Sequence, residues 1–583
     1  MNVLYLLLLA LVLFFLAYRF YGRYLSSRLG ISPERPTPAV EFNDGVDFVP
    51  TRLPVLFAHH YSAIAGAGPI IGPTLGILYG VGPAWLWIVL GGIFFGAVHD
   101  FTALFASIRE KGSSMAEIAR KALGDSGFLM FIIFTAIMLI LVTSAFLSLT
   151  AISLTSIWPV ERLDLEPGQT LLKTRIVDGR EMGIIGGIAS TSVIIITLAA
   201  PLLGFLIFKK GLKTFLSFLL AAFVCFISIY IGFKLPVNMP GLVWMIILSV
   251  YVLFASGLPV WMILQPRDFI NVQILYAGLA AIAAGIIIGG INGVTTNMPM
   301  FNLSEGNQFQ GPVWPMLFII IACGAISGFH ALVAGGTTGK QLAREPQAKV
   351  IGYGGMLLES ILAVLVVLVV SSSLKSSDYM SIVWPIKGQG NPILAFALAV
   401  GNLMKSAFGL PVAFGSIIGI LMVEGFVVTT LDAAVRLNRY IFEELWRKIF
   451  KTQPSIMKNC WFNSGLAVVA MFFLAVTNGY RLIWPVFGAS NQLLAALTLI
   501  AVTAWLNLSG RKSWFTLVPA VIMVVTTIAS LGYSLVTEYI PKTNVILAVT
   551  DIVLLVLAAG VVSQALRKTI LKPRAGPSPI VSS

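Results

Sequence analysis

The chain has four histidines, His59, His60, His99 and His330, and each falls in an apolar stretch. Asp100, next to His99, does the same, as do Glu359 and Glu424. Burying an ionisable group in a bilayer costs at least ~2.5 kcal/mol, so each needs a partner or a water-filled path. Imidazole titrates near physiological pH, and a desolvated carboxyl is shifted upward toward it, so a layer holding both suits proton transfer. At ~1.5 Å of rise per residue from the nearest basic loops, His59 and His60 are ~8 to 9 Å deep and His99 and Asp100 ~11 Å. Glu424 follows at ~12 Å, and His330 and Glu359 at ~14 Å, so these groups are expected to share one layer. Asp432 is expected at the inner end of a crossing, and Asp551 outside the layer. Plain interhelical hydrogen bonding is one alternative, and a metal site another. Zinc takes such ligands, yet there is no His-Glu-x-x-His and no Cys cluster, and neighbours such as His59 and His60 point about 100° apart on a helix. No metal or cofactor is expected, only a coupling ion, a proton or another cation.

The elements that hold these residues follow from composition. Of 583 residues 58% are hydrophobic and 11% charged, less than half the ~25% charged fraction of a soluble domain. A soluble globular protein is excluded, and an all-α polytopic membrane protein in the lipid bilayer is expected. At roughly 20 apolar residues per crossing the chain offers about 15 transmembrane helices, within a range of about 14 to 18. Residues 2 to 20 lack a preceding basic region and are followed by arginines, so they read as a first crossing rather than a signal peptide. Cys225, Cys323 and Cys460 have no paired spacing and read as packing residues. The net charge of +14 lies in short clusters between apolar segments, without an aromatic-interleaved basic domain, and nucleic acid is not an expected partner.

Placing the Lys/Arg-rich loops in the cytoplasm sets the orientation. The loops carrying Arg19 to Arg52, Arg109 to Lys121, Lys209 to Lys213, Lys340 to Lys349 and Arg436 to Lys458 fall inside. Those near 153 to 183, 234 to 240, 291 to 313 and 373 to 392 fall outside. The N-terminus is then outside and the C-terminus cytoplasmic, provided that the segment from Ile393 to Leu403 does not span.

Two segments carry glycine and proline where a lipid-facing helix would not. One runs from His60 through Ser62, Gly66, Gly68 and Pro69 to Gly72 and Pro73; the other runs from Gly328 through His330 to Gly335, Gly336 and Thr337. On the charge map they have opposite directions, the pattern of inverted-repeat transporters with two discontinuous helices. A broken helix exposes unpaired N–H groups at one half's N-terminus and unpaired carbonyls at the other's C-terminus, suited to a carboxylate and a cation. Half-helix N-termini are expected near Gly66 to Gly72 and near Gly335 to Gly339. Close helix packing is the alternative reason for the glycines. Gly66-Ala67-Gly68 has the wrong spacing for a dinucleotide fingerprint, and around Gly339-Lys340 a phosphate loop lacks its first glycine and its Ser/Thr. Asn491 and Gln492, expected at the outer mouth of a crossing, could bind substrate or backbone.

The chain resembles the carbon starvation protein A family. The residues that carry the likeness are Phe57 to Pro69, His99-Asp100-Phe101, Gln265-Pro266-Arg267-Asp268, Ser327 to His330, Thr429-Thr430-Leu431-Asp432 with Arg436, and Phe487 to Ala495. The resemblance implies uptake of a small carboxylate such as pyruvate, or of short peptides, across the inner membrane under carbon starvation, driven by protons. It also implies kinship with the amino acid, polyamine and organocation transporters. The expected organisation is one transporter domain over 1–583, with inverted-repeat regions at 55–260 and 314–507 and further helices and a short tail at 511–583. The broken helices stand about seven crossings apart, which leaves a five-plus-five and a seven-plus-seven repeat both open. A passive facilitator is the alternative function and an intramembrane metal-binding enzyme or sensor a weaker one; the loops are too short for an ATP-driven or enzymatic domain. Oligomeric state is not legible.

Overall fold

The computed structural model describes residues 1–45, 48–165, 172–259, 261–385 and 390–570. The expected tail beyond 570, and parts of the loops near 153 to 183 and 373 to 392, lie outside the described residues. In chain order the helices are α1 (Val3–Leu29), α2 (Leu53–Ile64), α3 (Gly68–Gly76), α4 (Val81–Arg109), α5 (Met115–Leu154), α6 (Ile185–Ile207), α7 (Phe215–Lys234), α8 (Gly241–Gly257) and α9 (Leu264–Ile291). There follow α10 (Val313–Ile320), α11 (Phe329–Gly336), α12 (Lys349–Ser373), α13 (Pro392–Phe408), α14 (Val412–Ile449), α15 (Cys460–Leu508), α16 (Trp514–Tyr539) and α17 (Val545–Arg567). One small antiparallel sheet interrupts the helices, with β1 (Trp158–Pro159), β2 (Thr174–Val177) and β3 (Arg180–Gly183) in the order β1-β3-β2.

Local signals explain several boundaries. Ser114 caps α5 by accepting from the Glu117 N–H, the first half of a capping box, and Asn391 and Asn459 cap α13 and α15. Gly479, at φ 65°, breaks the 49-residue α15 into two runs. Among the described residues 11 helices are long and apolar enough to cross a membrane, or 12 if the bent pair α2–α3 is one span. That is fewer than the fifteen or so expected, and three places account for the difference: α15 counts once despite its break, α8 has only 17 residues, and α10 and α11 are each too short. α13 also has 17 residues, at the segment expected not to span.

Both discontinuous helices are present, but the second break is not where the glycines placed it. α2 and α3 meet at 44° across residues 65–67, as expected around Gly66. The other interruption runs from Ile321 to Gly328, between α10 and α11, whereas Gly335 and Gly336 close α11. Gly335 serves packing instead: a Cβ there would stand 3.2 Å from the Ser113 carbonyl oxygen, against the start of α5. The two broken helices run antiparallel. The Thr51 N–H, just before α2, bonds the Gln341 carbonyl beyond α11 at 3.0 Å, and Tyr79 Oη, just after α3, bonds the Gly311 carbonyl before α10 at 2.8 Å.

They touch backbone to backbone. A Cβ on Gly72 would meet the Ile320 carbonyl oxygen at 2.7 Å, and one on Gly68 the Cys323 sulfur at 2.4 Å. Around this pair stand α4, α5, α12 and α14, largely buried, while α1, α7 and α17 expose most of their apolar surface, the distribution of a bundle wrapped in lipid. Gly328 is the tightest contact of the second break, since its Cβ would lie 2.4 Å from the Asn491 oxygen and 2.6 Å from the Ala495 nitrogen, both backbone atoms of α15. Neither can move aside. Gly328→Ala is therefore expected to lower stability by about 1–3 kcal/mol or more, read as a fall in thermal unfolding midpoint in detergent. Gly465→Ala, on α15 with open space around it, is expected to be neutral or slightly stabilising.

Candidate functional site

At the second break, side chains of other helices hold several of the backbone groups that the two half-helices leave free. Gln492 Nε2 donates to the Phe318 carbonyl of α10. Trp87 Nε1 donates to the Ile321 carbonyl at 2.9 Å, and Ser360 Oγ to the Gly324 carbonyl at 3.0 Å. On the other side of the gap, the Phe329 N–H that opens α11 bonds Asn491 Oδ1 at 3.0 Å, and the Gly328 N–H bonds the Asn491 carbonyl at the same distance. Asn491 and Gln492 thus hold the two half-helices from one turn of α15, so of the two roles open to these amides, both engage backbone.

The next residue is the hub of the polar cluster. His330 Nδ1 lies 2.7 Å from Asp100 Oδ2, and the other oxygen of Asp100 is 2.7 Å from His99 Nδ1. On its far side His330 Nε2 is 3.2 Å from Glu359 Oε2, in ion-pair contact but off the geometry of a hydrogen bond. All four side chains are at most 1% exposed. α4, α11 and α12 therefore bring His99, Asp100, His330 and Glu359 into one continuous chain. His60 belongs to the same region through a different link, with Nδ1 2.8 Å from Thr338 Oγ1 just past α11. His59 is half-buried and Ser62 buried on α2, and neither bonds to the chain.

Glu424 and Asp432 are not part of that layer. Asp432, expected near a membrane surface, is 1% exposed and paired with the equally buried Arg267 of α9. Tyr251 of α8 bridges them, its hydroxyl 2.7 Å from Asp432 Oδ2 and 2.8 Å from Arg267 Nη1. Glu424 lies two turns earlier on α14, where it approaches Ser153 without completing a hydrogen bond and feels the Arg267 charge. Arg436 and Arg439 complete this second cluster by donating to the Ala255, Leu258 and Ser256 carbonyls at the end of α8.

Between the two breaks lies a narrow cavity with room for no more than about one water. Its polar side is Gly66, Gly68, Cys323, Ser327, Thr430 and Asn491; Val142, Phe146 and Phe487 are among its apolar walls. Thr430 Oγ1 is buried without a hydrogen-bond partner and stands 2.5 Å from where a Cβ on Gly66 would be. It points at the open end of the first break.

The family model for carbon starvation protein CstA matches residues 2–390 and 386–530. The peptide transporter CstA of Campylobacter jejuni is 32% identical, over 90% of this chain and 79% of that protein. The peptide transporter CstA of Bacillus subtilis is 31% identical over 97% of both. The pyruvate/proton symporter BtsT of Escherichia coli is 29% identical over 90% of this chain and 80% of its own. This chain belongs to the carbon starvation protein CstA family. It is a multi-pass membrane transport protein, not an enzyme.

The residues that carried the family likeness divide between the two clusters. Phe57 to Pro69, His99-Asp100 and Ser327 to His330 build the histidine chain and the cavity, while Arg267-Asp268 and Asp432 with Arg436 build the second cluster. Thr430, Cys323, Ser327, Thr338, Tyr251 and Arg267 were not legible as site residues. Thr430, Ser327 and Arg267 were the most accessible of these, since each lies inside a motif that carried the family likeness.

Proposed function

We propose that the chain imports a small carboxylate of pyruvate size across the inner membrane by symport with protons. The observation that carries this reading is the buried chain Asp100–His330–Glu359 at the start of a half-helix, directly behind the cavity between the two breaks. The carboxylate would meet the N–H groups of Ala67 and Gly68 at the first break and the Thr430 hydroxyl, where a half-helix N-terminus favours negative charge. The proton would be carried by Asp100, His330 and Glu359, with His99 and His60 as neighbours, and no other cofactor takes part. The cavity holds no more than about a water and must open to admit any cargo, and the names of the CstA relatives make short peptides the other cargo.

The same reading has the N-terminus outside and the C-terminus in the cytoplasm, with inverted-repeat regions at 55–260 and 314–507 and further helices from 511. It counts about fifteen crossings, taking each broken helix as one span, α15 as two and α13 as none. The antiparallel course of the broken helices supports the inversion. Purified protein in liposomes is expected to accumulate labelled pyruvate above equilibrium when an inward proton gradient is imposed, and to cease when the gradient is collapsed. Equilibration without accumulation would make it a facilitator, and dipeptide uptake in place of pyruvate would change the cargo.

A further inference from the structure

We propose that Asn491 is the link between substrate and proton: one amide forms part of the cavity wall and also holds the half-helix that carries His330. This rests on the symport reading above. Asn491 is wholly buried, and its side chain lies among the polar residues of the cavity. The oxygen end is fixed by chemistry, because the Phe329 N–H at 3.0 Å only donates and so requires Oδ1 as its acceptor. Nδ2 then faces the cavity side of the break, 3.1 Å from Ser327 Oγ and 3.5 Å from Cys323 Sγ.

The amide group is planar and turns as one piece. A carboxylate entering the cavity needs donors, and Nδ2 is one that it can draw away from Ser327 and Cys323. Turning Nδ2 toward the ligand withdraws Oδ1 from the Phe329 N–H. That N–H belongs to the first turn of α11 and has no partner within its own helix, so its release loosens the start of α11, leaving the Gly328 N–H to the Asn491 carbonyl as its remaining tie to that residue. His330 is the adjacent residue, and its contacts to Asp100 at 2.7 Å and Glu359 at 3.2 Å depend on where that turn lies. Occupancy of the cavity is thereby felt at the proton chain through a single side chain. Gln492 has a different task, since its amide holds the Phe318 carbonyl of the other half-helix.

Two substitutions treat the two ends of the amide differently. Asn491→Leu removes the acceptor and the donor together, and Asn491→Asp keeps an oxygen for the Phe329 N–H while turning the donor into a negative oxygen that faces the substrate. In proteoliposomes with labelled pyruvate and an internal pH dye, Asn491→Leu is expected to raise the KM for pyruvate and, for each pyruvate still carried, to move at least about tenfold fewer protons, within the usual range of coupling between sites. Asn491→Asp is expected to keep the wild-type proton ratio and to raise KM by about tenfold or more through like-charge repulsion. A role in packing alone would lower uptake in both variants and leave the protons moved per pyruvate at the wild-type value in each. Wild-type proton ratios in Asn491→Leu overturn the proposal, as does a lost ratio in Asn491→Asp, which decides the matter by itself if Asn491→Leu does not fold. Wild-type protein that carries pyruvate without protons overturns the symport reading instead.

Discussion

Asp432→Ala is expected to destabilise the fold by about 3–5 kcal/mol, because it removes the carboxylate to which the buried Arg267 guanidinium is bonded. Arg267 is 1% exposed, and among the described residues its polar side-chain contacts are Asp432 and the Tyr251 hydroxyl. Tyr251 alone cannot replace a carboxylate. The measurement is the thermal unfolding midpoint of detergent-purified protein, together with the yield of folded protein. The double variant Arg267→Met with Asp432→Leu is expected to recover most of the loss, since apolar residues of similar volume often replace a buried pair at little or no cost. Equal damage from the single and the double change would mean that the two side chains do not compensate each other.

That pair also shows where depth along a helix stops being informative. Counting residues from basic loops placed His99, Asp100, His330 and Glu359 at similar levels, and they do meet. The same count placed Glu424 among them, yet a depth carries no azimuth, and Glu424 faces Ser153 and the Arg267 cluster instead. Asp432 seemed cheap because Arg436 and Arg439 follow it closely, but α14 continues to Ile449, and those arginines turn back to cap α8 rather than mark a surface.

The two breaks differ in legibility for a reason of composition. The first contains Gly66, Gly68, Pro69 and Pro73, residues that remove donors and tolerate unusual backbone within one turn. The second passes through Ile321-Ala322-Cys323-Gly324-Ala325-Ile326-Ser327-Gly328, which has no proline and reads as an ordinary apolar helix with small residues. It stays open because Trp87, Ser360, Asn491 and Gln492 satisfy its backbone from three other helices, and such long-range partners leave no local pattern.

His330→Ala is expected to abolish gradient-driven accumulation, by at least about tenfold, while exchange of labelled substrate across the membrane continues within a few-fold. His330 alone touches both carboxylates of the chain: Asp100 retains His99 when it is lost, but Glu359 has no hydrogen-bond donor left among the described residues. The proton path is then cut at its centre, whereas the Gly66, Gly68 and Thr430 side of the cavity keeps its geometry. Glu359→Gln tests the other end of the same contact. It retains size and a hydrogen-bonding oxygen but cannot ionise, so it should reproduce the uncoupled behaviour of His330→Ala, whereas loss of exchange as well would make Glu359 a group that the substrate itself needs.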